Sequence, residues 1–162
     1  GNALGLSLNL TSASFSTNAW GIEYNSPPTS TQITLGNYVN SVNGANGKYV
    51  GYLFATCPGV SKVGSYTGTG TGTTLNVDCG FTAGARFVLI KRTDSTGGPW
   101  YVWDTARGIV SGNDPYLLLN DSAVQVTNTD YIDPLSTGFT VTASANASLN
   151  ANDDNYIFLA IA

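Results

Sequence analysis

Short apolar stretches rich in Val, Ile, Leu, Tyr and Phe recur along the chain, and Gly, Asn, Pro and Asp separate them. Runs of about four to eight such residues between turn formers predict β-strands. No window places apolar residues at the i, i+3, i+4, i+7 spacing of a capped amphipathic helix. The predicted strands are residues 32–36, 48–56, 62–67, 73–78, 86–91, 100–104, 116–120, 124–127, 138–142 and 155–161.

About ten short strands without intervening helices predict an all-β fold with antiparallel pairing. We expect an antiparallel β-sandwich, jelly-roll-like, with no substantial helix. Two runs, 87–90 and 156–162, are apolar at every position or nearly so. Such runs are typical of central strands that are covered on both faces. The second run would hold the C-terminus in the sheet.

The chain also carries a weak internal repeat. Residues 31–55 parallel residues 137–162, because both contain a short strand, an Asn-rich turn and a Tyr-led apolar strand ending in Ala. Residues 4–20 likewise parallel residues 116–131. We therefore predict an N-terminal β half-unit over 1–60, a partial repeat, and a C-terminal β-sandwich module over 61–162. A preceding domain or a partner chain would supply the other half of the first unit. The alternative is that Asn/Thr-rich hairpins resemble one another by composition.

Composition removes several classes of function. Only 10% of the residues are charged, against about a quarter in an average soluble domain. Six basic residues against ten acidic ones argue against nucleic-acid binding, which needs a basic surface. The absence of His, with only two Cys, excludes the common zinc sites and the Ser-His-Asp and Cys-His nucleophile pairs. No apolar run approaches the length of a membrane span.

The most chemically loaded stretch is the aromatic run Trp100, Tyr101, Val102 and Trp103. On a strand, Trp100 would face one side, and Tyr101 and Trp103 would face the other. We expect core packing or a subunit interface here. The alternative is a sugar-binding platform, in which exposed rings stack on a sugar face.

Asp104 and Arg107 flank a tight turn, and an ion pair between them would pin it. The alternative function for Asp104 is catalysis. Glycoside hydrolysis needs a second carboxyl group a few ångströms away, and no pair is apparent in a chain with one Glu, Glu23. We therefore expect no enzyme and no cofactor.

Two Asx-rich turns are weak calcium candidates: Asp153 with Asp154, and Asp130 with Asp133. Neither turn has EF-hand spacing, and Asx residues are common in turns for conformational reasons alone. We expect no metal site.

The two cysteines and one glycine-rich stretch have simpler interpretations. Cys57 and Cys79 each follow a predicted strand, so they form either a disulfide or two ordinary thiols. Residues 68–73 alternate Gly and Thr but lack the Lys and the helix of a phosphate-binding loop, which predicts a hairpin loop.

Five short pieces occur in order over the last hundred residues or so. They are Gly64-Ser65-Tyr66-Thr67-Gly68, Phe87-Val88-Leu89-Ile90-Lys91, Trp100 with Asp104 and Arg107, Ser136-Thr137-Gly138-Phe139, and Tyr156-Ile157. In this order and spacing they resemble a β module that recurs in tailed-bacteriophage virion proteins, in tail-fibre-like and other surface proteins. In those proteins the module often follows a laminin-G-like lectin domain. The lectin domain is missing here, and Cys57 and Cys79 are outside the pattern.

The resemblance implies a structural virion protein on the particle surface, in a tail fibre, spike or other appendage. Its expected partners are further copies of itself, as a homotrimer, other virion proteins and a host surface glycan. Three alternatives remain: a capsid decoration protein, a carbohydrate-binding module, and a subunit of an extracellular filament joined by strand exchange.

Overall fold

The computed structural model describes residues 4–16, 29–36 and 42–162. The chain divides into two compact units, Gly1–Leu6 with Ser14–Leu53 and Ser7–Ala13 with Phe54–Ala162. In the first unit, β1 (Leu4–Gly5) pairs antiparallel with β2 (Phe15–Ser16). The division into repeat units at residue 60 stays a prediction.

The second unit contains two antiparallel sheets. The five-stranded sheet has the order β3-β10-β5-β6-β7, and the three-stranded sheet has the order β4-β9-β8. The only helix among the described residues is one turn, α1 (Ala147–Asn150). The strands are β3 (Ser61–Thr67), β4 (Leu75–Asp78), β5 (Phe87–Arg92), β6 (Trp100–Asp104), β7 (Leu117–Leu118), β8 (Ile132–Leu135), β9 (Gly138–Val141) and β10 (Asn155–Ile161).

The core contains side chains from both sheets. Alternate residues of β5 and β10, such as Ile90 and Phe158, are buried in one cluster with Phe139 of β9. The rings of Phe139 and Phe158 meet edge to face, with centroids 5.5 Å apart. This arrangement confirms the predicted antiparallel all-β fold, and the shared core is that of a β-sandwich.

The long apolar strands lie at the predicted positions. β10 pairs with β3 on one side and with β5 on the other, so it is a central strand. β5 also pairs on both sides, with β10 and β6. Both central strands were predictable from their nearly continuous apolar runs, but the expected cover on both faces is incomplete, since Ile157 on the outer face of β10 is exposed.

Three predicted strands are wrong in whole or in part. Residues 48–56 form no strand with any described residue, Leu35 alone carries a bridge within 32–36, and Val126 alone does so within 124–127. Conversely, β8 was not predicted, because Asp133 and Pro134 interrupt its apolar pattern. Proline is tolerated there because β8 lies at the edge of its sheet.

The β8–β9 hairpin depends on a glycine. A Cβ atom on Gly138 would lie 2.1 Å from the carbonyl oxygen of Val77 and 3.1 Å from the thiol sulfur of Cys79. The three-stranded sheet can therefore close here only around a residue without a side chain.

Candidate functional site

An exposed apolar segment precedes the module. Residues 49–54, hereafter the apolar segment, present Val50 and Tyr52 with 80% and 82% of their surfaces accessible. Tyr49, Leu53 and Phe54 are exposed as well. No backbone group of the apolar segment forms a hydrogen bond with another described residue. Exposed apolar side chains beside free backbone donors and acceptors are typical of a site that pairs with another strand.

In the predicted repeat, the apolar segment corresponds to β10. Tyr49 corresponds to Tyr156 in the parallel between residues 31–55 and 137–162. Asn46 and Asp153 lie three residues before these tyrosines, with φ angles of 64° and 62°. In the described part of the chain they are the two non-glycine residues with positive φ. The two turns thus share a rare backbone conformation, which supports the repeat beyond similarity of composition.

The pairing of the two counterparts differs. Tyr156 lies opposite Tyr66 of β3 and Arg92 of β5, so β10 is paired on both sides. The apolar segment has no such neighbour among the described residues. Its sequence is that of a central strand, and its surroundings are those of an unpaired one.

The aromatic run is packed inside the protein, in agreement with the predicted core packing and not with the alternative of a sugar platform. Trp100, Tyr101 and Trp103 are all buried. Tyr101 and Trp103 stack in the core, with ring centroids 5.5 Å apart. Trp100 lies on the opposite face of β6, where its indole N–H donates to the carbonyl of Ser7 at 3.0 Å. A sugar stacks on a ring face open to solvent, so these rings form no sugar platform in this structure.

Residues 7–13 lie against Trp100, and a buried lysine holds them in place. The sequence analysis missed this lysine. Lys91 of β5 is fully buried, and its ammonium group donates to the carbonyls of Thr11, Ser12 and Arg92 at 3.4, 3.0 and 2.7 Å. Burial lowers the pKa of Lys91, and the charge of Arg92 lowers it further. A lysine ending an otherwise apolar run was the available signal for an internal anchor.

Asp104 and Arg107 form the predicted turn. An Arg107 guanidinium nitrogen lies 2.6 Å from an Asp104 carboxylate oxygen, and the Arg107 backbone N–H donates to the other oxygen at 2.9 Å. Both oxygens of Asp104 are therefore engaged within the turn. This arrangement gives the pair a structural role.

The two cysteines are free thiols, so the disulfide alternative is wrong. Cys57 is exposed before β3, whereas Cys79 is buried after β4, at the end of a strand in the other sheet. Burial raises the pKa of Cys79 to about 11, with a further increase from Asp78. A thiol held protonated in this way is a poor nucleophile.

Among the described residues, Asp153 and Asp154 converge with no third carboxylate. Asp154 instead forms an ion pair with Arg92, and Asp153 accepts a hydrogen bond from Asn152. The carboxylates that do converge are Asp114, Asp130 and Asp133. The sequence analysis named Asp130 and Asp133 but missed Asp114, which lies 16 residues before Asp130.

One family model covers nearly the whole chain. Residues 2–162 match DUF7483, described as a domain of unknown function. The chain belongs to the DUF7483 family. No curated protein and no solved structure matches it.

The match begins at residue 2 and so includes the apolar segment together with the module. The segment is thus part of the family's own domain. In the described residues of this DUF7483 chain, no helix is long and apolar enough to cross a membrane.

Proposed function

We propose that this chain is a structural, non-catalytic module of a bacteriophage virion, in a tail fibre, spike or other surface appendage, that assembles through its apolar segment. The observation that carries the assembly part is that the apolar segment, the predicted counterpart of β10, pairs with no described strand. The placement in a virion rests on the resemblance of the last hundred residues or so to the recurrent phage module.

The repeat indicates what the apolar segment would pair with. β10 is paired with β3 and β5. Both strands lie before residue 116, where the parallel with the N-terminal residues begins. The first repeat therefore holds no counterpart of these two strands. A second copy would offer its edge strand β3, since β5 and β10 are each paired on both sides. The apolar segment would add to that edge and so satisfy its own backbone groups.

The low charge of the chain agrees with this proposal. Burying charged groups in an interface costs desolvation energy, and interface cores are accordingly poor in charged residues. The apolar segment contains no charged side chain, and 10% of the whole chain is charged. An obligate assembly would bury about 2,000 Å² or more in total.

A second candidate function is a subunit of an extracellular filament joined by strand exchange, and the same segment favours it. The two differ in symmetry, because a closed ring of copies stops growing whereas an open head-to-tail arrangement does not. Light scattering on a sizing column, from dilute to concentrated protein, separates them. A closed assembly gives a constant multiple of 16.9 kDa, with three copies expected, and a filament gives a mass that rises with concentration.

A monomer at every concentration would contradict self-assembly in either form. The virion placement has its own test, since mass spectrometry of purified particles of the encoding phage should detect this protein. Its absence from particles, with the protein present in infected cells, would contradict the virion proposal and leave self-assembly standing.

A further inference from the structure

Three carboxylates that are distant in sequence converge in the second unit. Asp114 lies in the loop between β6 and β7, Asp130 lies just before β8, and Asp133 lies within β8. One oxygen from each lies within 4.8 Å of the others. The backbone N–H of Asp114 donates to the carbonyl of Thr129 at 2.8 Å, which ties the two segments together.

Part of this cluster is buried without hydrogen-bond partners. Asp114 has no accessible surface, and one of its oxygens, Oδ2, receives no hydrogen bond. Asp130 Oδ1 and the Thr129 hydroxyl are also buried atoms without a hydrogen-bond partner. In the described part of the chain, these are three of the four buried side-chain polar atoms without a partner, the fourth being the indole N–H of Trp103. Buried polar atoms are normally satisfied, so three orphans in one place indicate a missing partner.

The remaining oxygens show how the loop orients the carboxylates. The Val110 N–H donates to Asp114 Oδ1 at 2.7 Å, and the Gly112 N–H donates to Asp133 Oδ1 at 3.2 Å. These hydrogen bonds occupy one oxygen of each group. The orphaned Oδ2 of Asp114 and Oδ1 of Asp130 are the free acceptors.

The surroundings of Asp114 and Asp130 disfavour their charged forms. Burial raises the pKa of Asp114 to about 7, and the charges of Asp133 and Asp130 act in the same direction. Burial and Asp133 also raise the pKa of Asp130. Among the described residues, none of the three carboxylates forms an ion pair.

The chemistry of the donors selects the kind of ion. All the converging groups are carboxylates, which hard cations prefer. Calcium takes six to eight oxygen ligands in a flexible geometry, whereas magnesium usually keeps several waters and is held by one or two carboxylates. Three carboxylates of the protein that converge on one place therefore suit calcium.

We propose that Asp114, Asp130 and Asp133 bind one Ca²⁺ ion, which joins the loop after β6 to β8. The ion supplies the partner that the orphaned oxygens lack and offsets the repulsion among the three charges. This site is independent of the proposed virion function.

The test is a titration of chelator-treated protein with Ca²⁺. Calorimetry measures affinity and stoichiometry at free Ca²⁺ from about 10⁻⁶ to about 10⁻² M, and elemental analysis measures bound calcium after dialysis. Tb³⁺ serves as a spectroscopic probe, since tyrosine excitation sensitises its luminescence at short range and Tyr131 adjoins Asp130. We expect one ion per chain and a higher melting temperature with calcium.

Two variants of the cluster are compared with one matched control. Asp130→Asn and Asp133→Asn should each weaken Ca²⁺ binding by at least about tenfold, because each removes a charged ligand. Asp153→Asn makes the same change at an exposed turn, where Asn tolerates the positive φ, and should bind Ca²⁺ as the wild type does.

Three results would overturn the proposal. The first is wild-type protein that takes up no calcium and shows no change in melting temperature. The second is equal loss of binding in Asp153→Asn. The third is displacement of Ca²⁺ by an equal concentration of Mg²⁺, which would refute the choice of ion.

Discussion

Val50→Asp is the sharpest test of the apolar segment, because Val50 is 80% exposed in the single chain and would be buried on strand pairing. Full burial of a valine side chain contributes roughly 1.5–3 kcal/mol. Losing four-fifths of that contribution costs about 1–2.5 kcal/mol per interface, before the added cost of burying a carboxylate. Since 1.4 kcal/mol is a factor of ten, assembly should weaken about 5- to 60-fold or more.

The assay is sedimentation equilibrium across a range of protein concentrations. The matched control is Val124→Asp, which makes the same change at a valine that is 88% exposed in a loop. Val50→Asp should shift the assembly midpoint to higher concentration, whereas Val124→Asp should behave as the wild type. Urea unfolding should show that the second unit keeps its stability in both variants. Equal effects of the two variants, or no effect of either, would refute the assignment of the interface to the apolar segment.

Three further predictions concern stability. Asn150 is fully buried, accepts a hydrogen bond from the Thr69 N–H, and donates to the carbonyls of Gly70 and Thr73. Asn150→Ala should therefore lower the free energy of unfolding by about 3 kcal/mol, at roughly 1 kcal/mol for each lost bond; a urea midpoint equal to the wild type's would contradict this role. Lys91→Met removes the donors that hold residues 7–13, so amide hydrogen exchange should accelerate at Gly97, whose N–H donates to the Thr11 carbonyl; unchanged exchange there would show that Lys91 is not the anchor. Burial favours a higher pKa for Asp94, but hydrogen bonds from Arg92 and the Asn155 N–H outweigh it, and the pKa is lowered. The stability from Asp94 is therefore present above its unfolded pKa and lost as the pH falls through its folded pKa. Asp94→Asn should reduce the acid sensitivity measured by urea unfolding below about pH 4, and an unchanged acid profile would refute this.

Local interactions were readable from the sequence. The strand β6 has its predicted bounds, and the Asp104–Arg107 ion pair lies across the predicted turn. β10 was also assigned correctly from its continuous apolar run, although the similar run at residues 48–56 forms no strand with any described residue. In each case the deciding contacts lie within a few residues or follow from one strand's own pattern.

Features that depend on distant neighbours were not readable. Trp100 is buried beside residues 7–13, more than eighty positions away: its indole N–H donates to the Ser7 carbonyl, and Lys91 donates to the carbonyls of Thr11 and Ser12. The residues of β8 look like a loop in sequence, and only pairing with β9 makes them a strand.

The apolar segment and the carboxylate cluster each combine a feature that the sequence determined with one that needed the tertiary structure. The sequence alone determined that residues 49–54 form an apolar, strand-like stretch and that Asp130 and Asp133 lie in one acidic turn. Only the tertiary structure decided that the stretch is left without a partner strand among the described residues and that Asp114 joins the turn in a buried site. The physical reason is that pairing and burial are properties of surroundings, which the folded chain assembles from segments far apart in sequence.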